Sequence, residues 1–413
     1  MREDYDIIII GGGLAGGCLA LAIEGGGFSV VVVEGQTDEQ QRRSPAGDRG
    51  LALAYGSVQL LKRLGVWQGS KQFATPIRDI HISDRGHFGK TRLSAEKEGV
   101  EALGYVITAR PLESQVSDGL KRASVDMIQP ARLIGIKAGS ESVCVTLAQG
   151  DSSNLHLNGR LVVGADGDDS SVRKLLDIGQ TVRDYGQSAI VTTVKPERNP
   201  SFTAFERFTP QGPLALLPNE NGCCSVIWTR SNDDLRIVMD MSEQEFVDEL
   251  QTCFGYWLGH LSLCAPRQAF PLKLVQAQQM VTDRAALVGN AAHRLHPVAG
   301  QGFNLGLRDV ARLAEMLIGL DPSAKDPGSP KLLQDFQAER MKDQLRVVTF
   351  TNSIISIFTN EWMPLALSRN LGLLSLDHLS GAKHVLSRYA MGLGGRLPRV
   401  GKAGSNEKNS VTS

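Results

Sequence analysis

The sequence predicts an α/β fold in which a Rossmann-like nucleotide-binding domain carries an inserted antiparallel-sheet domain and is followed by a helical C-terminal region. Three observations predict it. A strand, a glycine-rich turn and a helix open the chain; short alternating strands fill residues 184–271; and helical apolar spacing begins near Leu332. A length of 413 residues suits two to three folding units. The expected division is a discontinuous nucleotide domain over 1–183 and 272–345, a sheet domain over 184–271, a helical region over 346–398 and a disordered tail over 399–413.

Tyr5 to Ile10 is a β-branched run that stops at glycine, as a buried parallel strand does. Leu14 to Glu24 places Leu14, Cys18, Leu19, Ala22 and Ile23 at helical spacing, and Gly25, Gly26 and Gly27 end that helix. Phe28 to Val33 is a second strand closed by Glu34. Gly11, Gly13 and Gly16 therefore form a G-x-G-x-x-G turn inside a βαβ unit, with an acid roughly 20 residues on, the arrangement that seats a dinucleotide. The glycines let a pyrophosphate approach the helix N-terminus, where free amides and the helix dipole favour anions. Glu34 can accept hydrogen bonds from ribose hydroxyls. FAD and NAD share this unit, so it does not choose between them.

Two later segments repeat the strand-to-loop theme. Arg160 to Val163 is a strand that ends in Gly164-Ala165-Asp166-Gly167, with Ser170, Ser171, Val172 and Arg173 starting a helix. Alone, it reads equally well as a capped strand-to-helix turn. Ala285 to Val288 enters Gly289-Asn290-Ala291-Ala292-His293, then a glycine-rich loop from Pro297 to Asn304, then a helix over Leu305 to Leu317. Such a loop offers backbone amides to an electron-rich group. Three sites of this kind imply one extended ligand.

Between these segments the pattern changes to strands at Ala189 to Val194, Thr203 to Phe208, Leu214 to Leu217 and Cys223 to Arg230, the last following an Asn221-Gly222 turn. A helix over Glu243 to Leu258 covers them. The junction of this sheet with the nucleotide domain is the expected substrate cleft. Cys223 and Cys224 read as sheet residues. His293 and His296 lack a partner carboxylate and the helix that metal ligands at that spacing need, so no metal site is expected. Helical patterns then run over Leu332 to Arg346, Ile354 to Leu374 and Ala382 to Gly392. Val385, Leu386, Tyr389 and Met391 lie beside Lys383, His384, Arg388 and Arg396, which suits either a packed helix or contact with a membrane surface or partner proteins.

Composition bounds the functions. Lys plus Arg is 44 and Asp plus Glu is 44, so no general attraction to nucleic acid is expected. A hydrophobic fraction of 42% with 21% charged residues is that of a folded soluble protein. Six cysteines show no CxxC pair. Acids precede the first apolar run, where a signal peptide needs positive charge, and no run reaches the roughly 20 apolar residues of a membrane span. The expected location is cytoplasmic, with any membrane contact peripheral to the inner membrane. No G-x-S-x-G elbow appears, which disfavours a hydrolase.

The trio GGGLAG, DGxxSxxR at Asp166 to Arg173 and GNAAHxxHPVAGQGFN at Gly289 to Asn304 resembles the para-hydroxybenzoate-hydroxylase-type flavoprotein monooxygenases over roughly residues 5–345. The segments Asp48 to Leu53, Ala204-Phe205-Glu206-Arg207-Phe208-Thr209, Gly212 to Pro218 and Gly302 to Asp309 are similar to the ubiquinone-biosynthesis hydroxylases within that family. The resemblance implies FAD as cofactor, NAD(P)H as a transient reductant and O2 as co-substrate. It also implies hydroxylation of the ring of a polyprenylated methoxyphenol through a flavin hydroperoxide. On matching positions it implies that Gly11, Gly13 and Gly16 hold the FAD pyrophosphate and Glu34 the adenosine ribose. Arg49 and Arg110 would face the cofactor, or else form a surface ion pair. Asp166 and Gly167 would approach both FAD and the nicotinamide donor, Asn290 the ribityl chain, and Pro297, Gly300, Gly302, Phe303 and Asn304 the isoalloxazine. The wider family has aspartate where this chain has Asn290, and an amide oxygen can still accept a ribityl hydrogen bond. No catalytic base is assigned; His296 and Tyr185 qualify only by type. Two alternatives stay open: a sister hydroxylase acting at another ring position, and a mainly structural flavoprotein of a biosynthetic assembly.

Overall fold

The computed structural model describes residues 3–86, 89–150, 154–295, 300–321, 326–359 and 380–400. Its first sheet runs in the order Val281–Thr282, Ala285–Leu287, Leu155–Gly164, Asp4–Ile10, Val30–Val33, Asp126–Ile128. The last five of these strands are parallel to one another. Ile7, Ile8, Ile9, Val31 and Val32 are fully buried, which explains why the run shows no polar alternation. Each such side chain contributes about 1.5–3 kcal/mol relative to exposure. The helices Leu14–Ile23, Ala109–Arg122 and Gln301–Ile318 cover this sheet and pack on one another.

A second sheet follows the order His293–Arg294, Gln268–Ala277, Gln180–Pro196, Cys224–Ser231, Gly212–Pro218, Thr203–Thr209, Asp79–Asp84, Lys90–Ser94. The sequence division at 184 and 271 leaves out its last two strands. They come from the middle of the nucleotide-domain sequence and join through a parallel pairing of Asp79–Asp84 with Thr203–Thr209, which no local pattern announces. Alternation divides the sheet into two faces. Leu214, Leu216, Val226 and Trp228 pack with Phe246, Leu250 and Phe254 of the helix Glu243–Phe254. That helix stops before the predicted Leu258, because Gly255 takes φ 87°. The helix Asn232–Asp240 was not anticipated. Ala204, Ala215, Leu217, Ile227 and Thr229 turn the other way, toward the nucleotide domain. A third sheet pairs Gly50–Ala54 and Thr75–Ile77 antiparallel to either side of Gly104–Thr108.

The C-terminal region begins as one continuous helix, Pro330–Thr359, where the sequence suggests a break after Arg346. The second expected helix, Ile354 to Leu374, lies outside the described residues beyond Thr359. The helix Ser380–Ala390 packs on the body: Met391 is buried with Leu93 and Leu103, and Val385 is exposed. Order extends past the predicted tail boundary at 399, since the Arg399 amide donates to Glu315 at 3.0 Å and Val400 is buried in the main core. Residues 401–413 lie outside the described residues. Among the described residues, no helix is long and apolar enough to cross a membrane.

Candidate functional site

The five parallel strands end along one edge, and the residues just beyond them line a groove of about 720 Å³ in strand order. Gly289 and Asn290 follow the outermost strand. Asp166 and Gly167 come next, then Gly11 and Gly13, then Glu34 and Gln36, then Ala131 to Ile134. Neighbouring strands lie about 4.8 Å apart, so the row spans roughly 19 Å, the reach of an extended dinucleotide across a topological switch point.

Each turn is shaped by residues that fit nothing else. Gly11 has φ 102°, and a Cβ there would meet the Ala165 carbonyl oxygen at 2.6 Å. A Cβ on Gly16 would collide with the Gly11 carbonyl, so Gly16 closes the turn from within the helix and does not touch the groove. Gly13 has nothing within 4 Å of its Cβ position, so its open side faces the groove ahead of the N-terminus of Leu14–Ile23. Glu34 accepts from the Gly12 and Gln36 amides, both at 2.8 Å, and each oxygen keeps a lone pair for a ribose hydroxyl. Asp166 accepts from the Ser171 amide at 2.6 Å and the Val172 amide at 3.2 Å through Oδ2. Its Oδ1 is buried on the groove wall with no hydrogen-bond partner. A buried carboxylate oxygen left unpaired is costly, and a ligand hydroxyl or amide in the groove would satisfy it.

The remaining predicted residues divide. Arg49 and Phe303 line the groove. Arg110 does not: it pairs with Asp48 at 2.7 Å and donates to the Ser44 carbonyl at 3.1 Å and to the Arg42 carbonyl, fastening the 42–48 segment beside an adjoining depression. Glu113, beside Arg49 in the groove, has its pKa raised by burial, which outweighs the opposing Arg49 and Arg110 charges. Asn304 is buried off the groove. Its oxygen accepts from the Ala54 amide at 2.9 Å, and its nitrogen donates to Ala52 at 2.9 Å and Gly300 at 2.7 Å, so it ties the helix start to the strand Gly50–Ala54. Gly302 lines neither cavity. Pro297 and His296 lie outside the described residues. The Tyr185 hydroxyl donates to Asn352 at 2.9 Å, away from both cavities. Cys224 is buried, which pushes its thiol up to about 12, in keeping with a core residue.

Two residues that end motifs of the sequence, Arg173 and Asp309, serve as supports. Arg173 is buried and donates to the Ala291 carbonyl and the Asp168 carbonyl, both at 2.8 Å, joining the second turn to the third. Asp309, fully buried, accepts from the Gly289 amide at 3.2 Å, meets His293 Nε2 at 2.6 Å and accepts from Arg340 Nε at 2.7 Å. Burial opposes its charge, yet His293 and Arg340 hold its carboxyl below the ordinary carboxylate range. Gly289 of the groove thus rests on a buried ionic frame. His293 is a member of that frame, and no His, Cys, Asp and Glu cluster among the described residues could hold a metal ion.

A second cavity of about 220 Å³ lies behind the first. Gly50, Ala52, Gly300 and Gln301 form one side, and Ala204, Glu206, Ala215, Leu217, Ile227 and Thr229 of the second sheet form the other. The segments at 49–50 and 300–303 contribute to both cavities, which therefore adjoin. The wall is apolar except for Glu206, Thr229 and Gln301, and burial pushes the Glu206 carboxyl up to about 7.

The family described as FAD binding domain matches residues 4–351. The chain is 37% identical over 404 residues to the ubiquinone hydroxylase UbiL of Rhodospirillum rubrum, covering 96% of this chain and 92% of that protein. It is 32% identical over 395 residues to the 3-demethoxyubiquinol 3-hydroxylase of Escherichia coli K12, covering 95% and 100%. The crystal structure of p-nitrophenol 4-monooxygenase PnpA from Pseudomonas putida DLL-E4 shares the fold, with a TM-score of 0.75 at 19% identity over 96% of this chain and all of that one.

Proposed function

The chain belongs to the FAD binding domain family, and from that premise we propose that its reaction is ring hydroxylation of a polyprenylated methoxyphenol on the route to ubiquinone. It is an FAD-dependent aromatic hydroxylase that uses NAD(P)H and O2. The observation that carries the finer reading is the ring-sized cavity set against the end of the nucleotide groove. At about 220 Å³ it falls below the roughly 300 Å³ of a site for a drug-sized ligand, so it takes the ring and leaves a prenyl tail outside.

The groove residues fit FAD. Gly13 leaves room for the pyrophosphate before a helix N-terminus, Arg49 supplies a compensating charge, Glu34 takes the adenosine ribose, and Asp166 Oδ1 awaits a donor. Asn290 at the far end offers an amide to the ribityl chain. When bound, FAD takes two electrons from NAD(P)H and, with O2, supplies the oxygen atom that reaches the ring. The protein positions the ring, keeps the cavity wall apolar and excludes water there.

The motif pattern most resembles 2-octaprenyl-6-methoxyphenol hydroxylase. A sister reading, hydroxylation at another position of the same precursor, is supported by the name of the Escherichia coli relative. The test is purification with a bound yellow chromophore, followed by NAD(P)H oxidation with and without an alkyl-methoxyphenol. Substrate-stimulated oxidation with a hydroxylated product supports the reading; flavin without stimulated turnover defeats it and leaves the structural flavoprotein. Mass spectrometry of the precursor that accumulates in a strain lacking the protein decides the ring position.

A further inference from the structure

An ionisable side chain, Glu206, faces the second cavity. Along Thr203–Thr209, alternation sends Phe205 and Arg207 to the helix-covered face, where Arg207 donates to the Cys253 carbonyl at 2.9 Å, and sends Ala204 and Glu206 to the cavity. Glu206 is paired in register with Ala215 on one side and Ile82 on the other. It is the one ionisable side chain among the described residues of the wall. Asp84, two positions beyond Ile82, acts electrostatically on Arg207. Arg230 lies over the Trp228 ring on the helix face. From the C-terminal helix it is Ala390 that lines the cavity, while Arg388 donates to the Leu393 carbonyl. Gln301 is the polar group on the opposite wall. Burial alone therefore sets the ionisation of Glu206 near neutrality.

We propose that Glu206 is the catalytic base that receives the ring hydroxyl proton of the phenol, an inference that rests on the functional reading above. The proton moves from the phenolic oxygen to a Glu206 carboxylate oxygen. The electron pair of the broken O–H bond stays on the phenolic oxygen and delocalises into the ring, which raises electron density at the carbons to be hydroxylated. When the hydroxylated ring regains aromaticity, its C–H proton is released to the water that forms from the second oxygen atom, while Glu206 returns its own proton to the phenolic oxygen and ends as a carboxylate. The whole balances as phenol, O2, NAD(P)H and one proton giving dihydroxy product, water and NAD(P)+. A phenol ionises near pH 10, and a carboxyl at about 7 is a far better matched base for it than an ordinary one at 4.5.

The test compares FAD-loaded wild type, Glu206→Gln and Glu206→Asp with an alkyl-methoxyphenol as probe. Phenol binding, read by fluorescence without NAD(P)H, is expected to tighten in the wild type as pH rises through about 7. Glu206→Gln should flatten that dependence and bind roughly tenfold more weakly at pH 8, since a hydrogen bond to a charged acceptor is lost. It should also form less product per NAD(P)H oxidised and lose the acid limb of the rate profile, while Glu206→Asp restores the limb. A Glu206→Gln protein with wild-type pH dependence and coupling overturns the assignment, with the hydroxylase reading intact. Wild type whose phenol binding shows no inflection between pH 6 and 8 overturns it too, whatever the variants do. A wild type that retains flavin yet hydroxylates no phenol sinks the functional reading and takes this proposal with it.

Discussion

Substituting Asp309 with asparagine tests the buried frame beneath the groove. The change keeps the shape of the side chain and removes a charge shared by His293 and Arg340 at 2.6 and 2.7 Å. Removing one partner of a buried ion pair costs about 3–5 kcal/mol, because the other charge stays buried and uncompensated. Arg340 still has Asp343 at 2.8 Å, which places the expectation near the lower end, about 3 kcal/mol. Against a total stability of about 5–15 kcal/mol this is large. The assay is urea unfolding of the flavin-free protein at pH 7.5, followed by circular dichroism. The carboxyl of Asp309 is held below its ordinary value of 3.8, so its contribution is complete above that value and lost as pH falls through the lower, folded-state one. Wild-type stability should therefore fall in that acid range, and Asp309→Asn should fall less. Because the same carboxylate holds the Gly289 amide on the groove, flavin retention should weaken as well. A loss under about 1 kcal/mol, with acid sensitivity unchanged, refutes the reasoning; an intact ionic frame cannot be that cheap to break.

Gly13→Val should fold with a stability change within about 0.5 kcal/mol, since nothing lies within 4 Å of the new Cβ, yet lose flavin; purification of this variant with full flavin occupancy contradicts the pyrophosphate placement. Arg173→Met removes two buried hydrogen bonds to backbone carbonyls and should cost about 2–4 kcal/mol in thermal or urea unfolding, with faster flavin release on dilution. Glu206→Gln should be more stable than wild type at pH 8 and not at pH 4. The raised carboxyl favours the folded state only below its unfolded value of 4.5, and that advantage disappears as pH rises through about 7. A carboxyl moved from 4.5 to about 7 bounds the gain at about 3 kcal/mol, and equal pH profiles for the two proteins in urea melts contradict it.

The groove was largely legible because its determinants are local. Gly11, Gly13, Gly16 and Glu34 fall within a single βαβ unit, where spacing alone states which backbone must bend and which acid closes the second strand. Asp166 and Asn290 could be found for the same reason, as the first polar residues past a buried strand. Spacing does not report where a side chain points. Asn304 and Arg110 stand at recognisable motif positions and turn away from the groove to fasten backbone. Asp309 ends a recognisable motif, but its role as a support emerges only when the fold brings His293 and Arg340 to it. Glu206 needed two nonlocal facts: which strand face meets the nucleotide domain, and that the 79–94 segment closes the sheet beside it.

The alternation in Gly212–Pro218 and its neighbours separates two kinds of change over evolutionary time. Leu214, Leu216 and Trp228 anchor the helices, so their exchange is felt as lost stability. Ala204 and Ala215 pave the opposite face with the smallest side chains available to a strand, and enlarging either reshapes the space for a ring without disturbing the helix-facing core or the nucleotide groove. A lineage can therefore retune which aromatic it accepts through single methyl-sized steps at these alanines, inheriting its redox apparatus untouched.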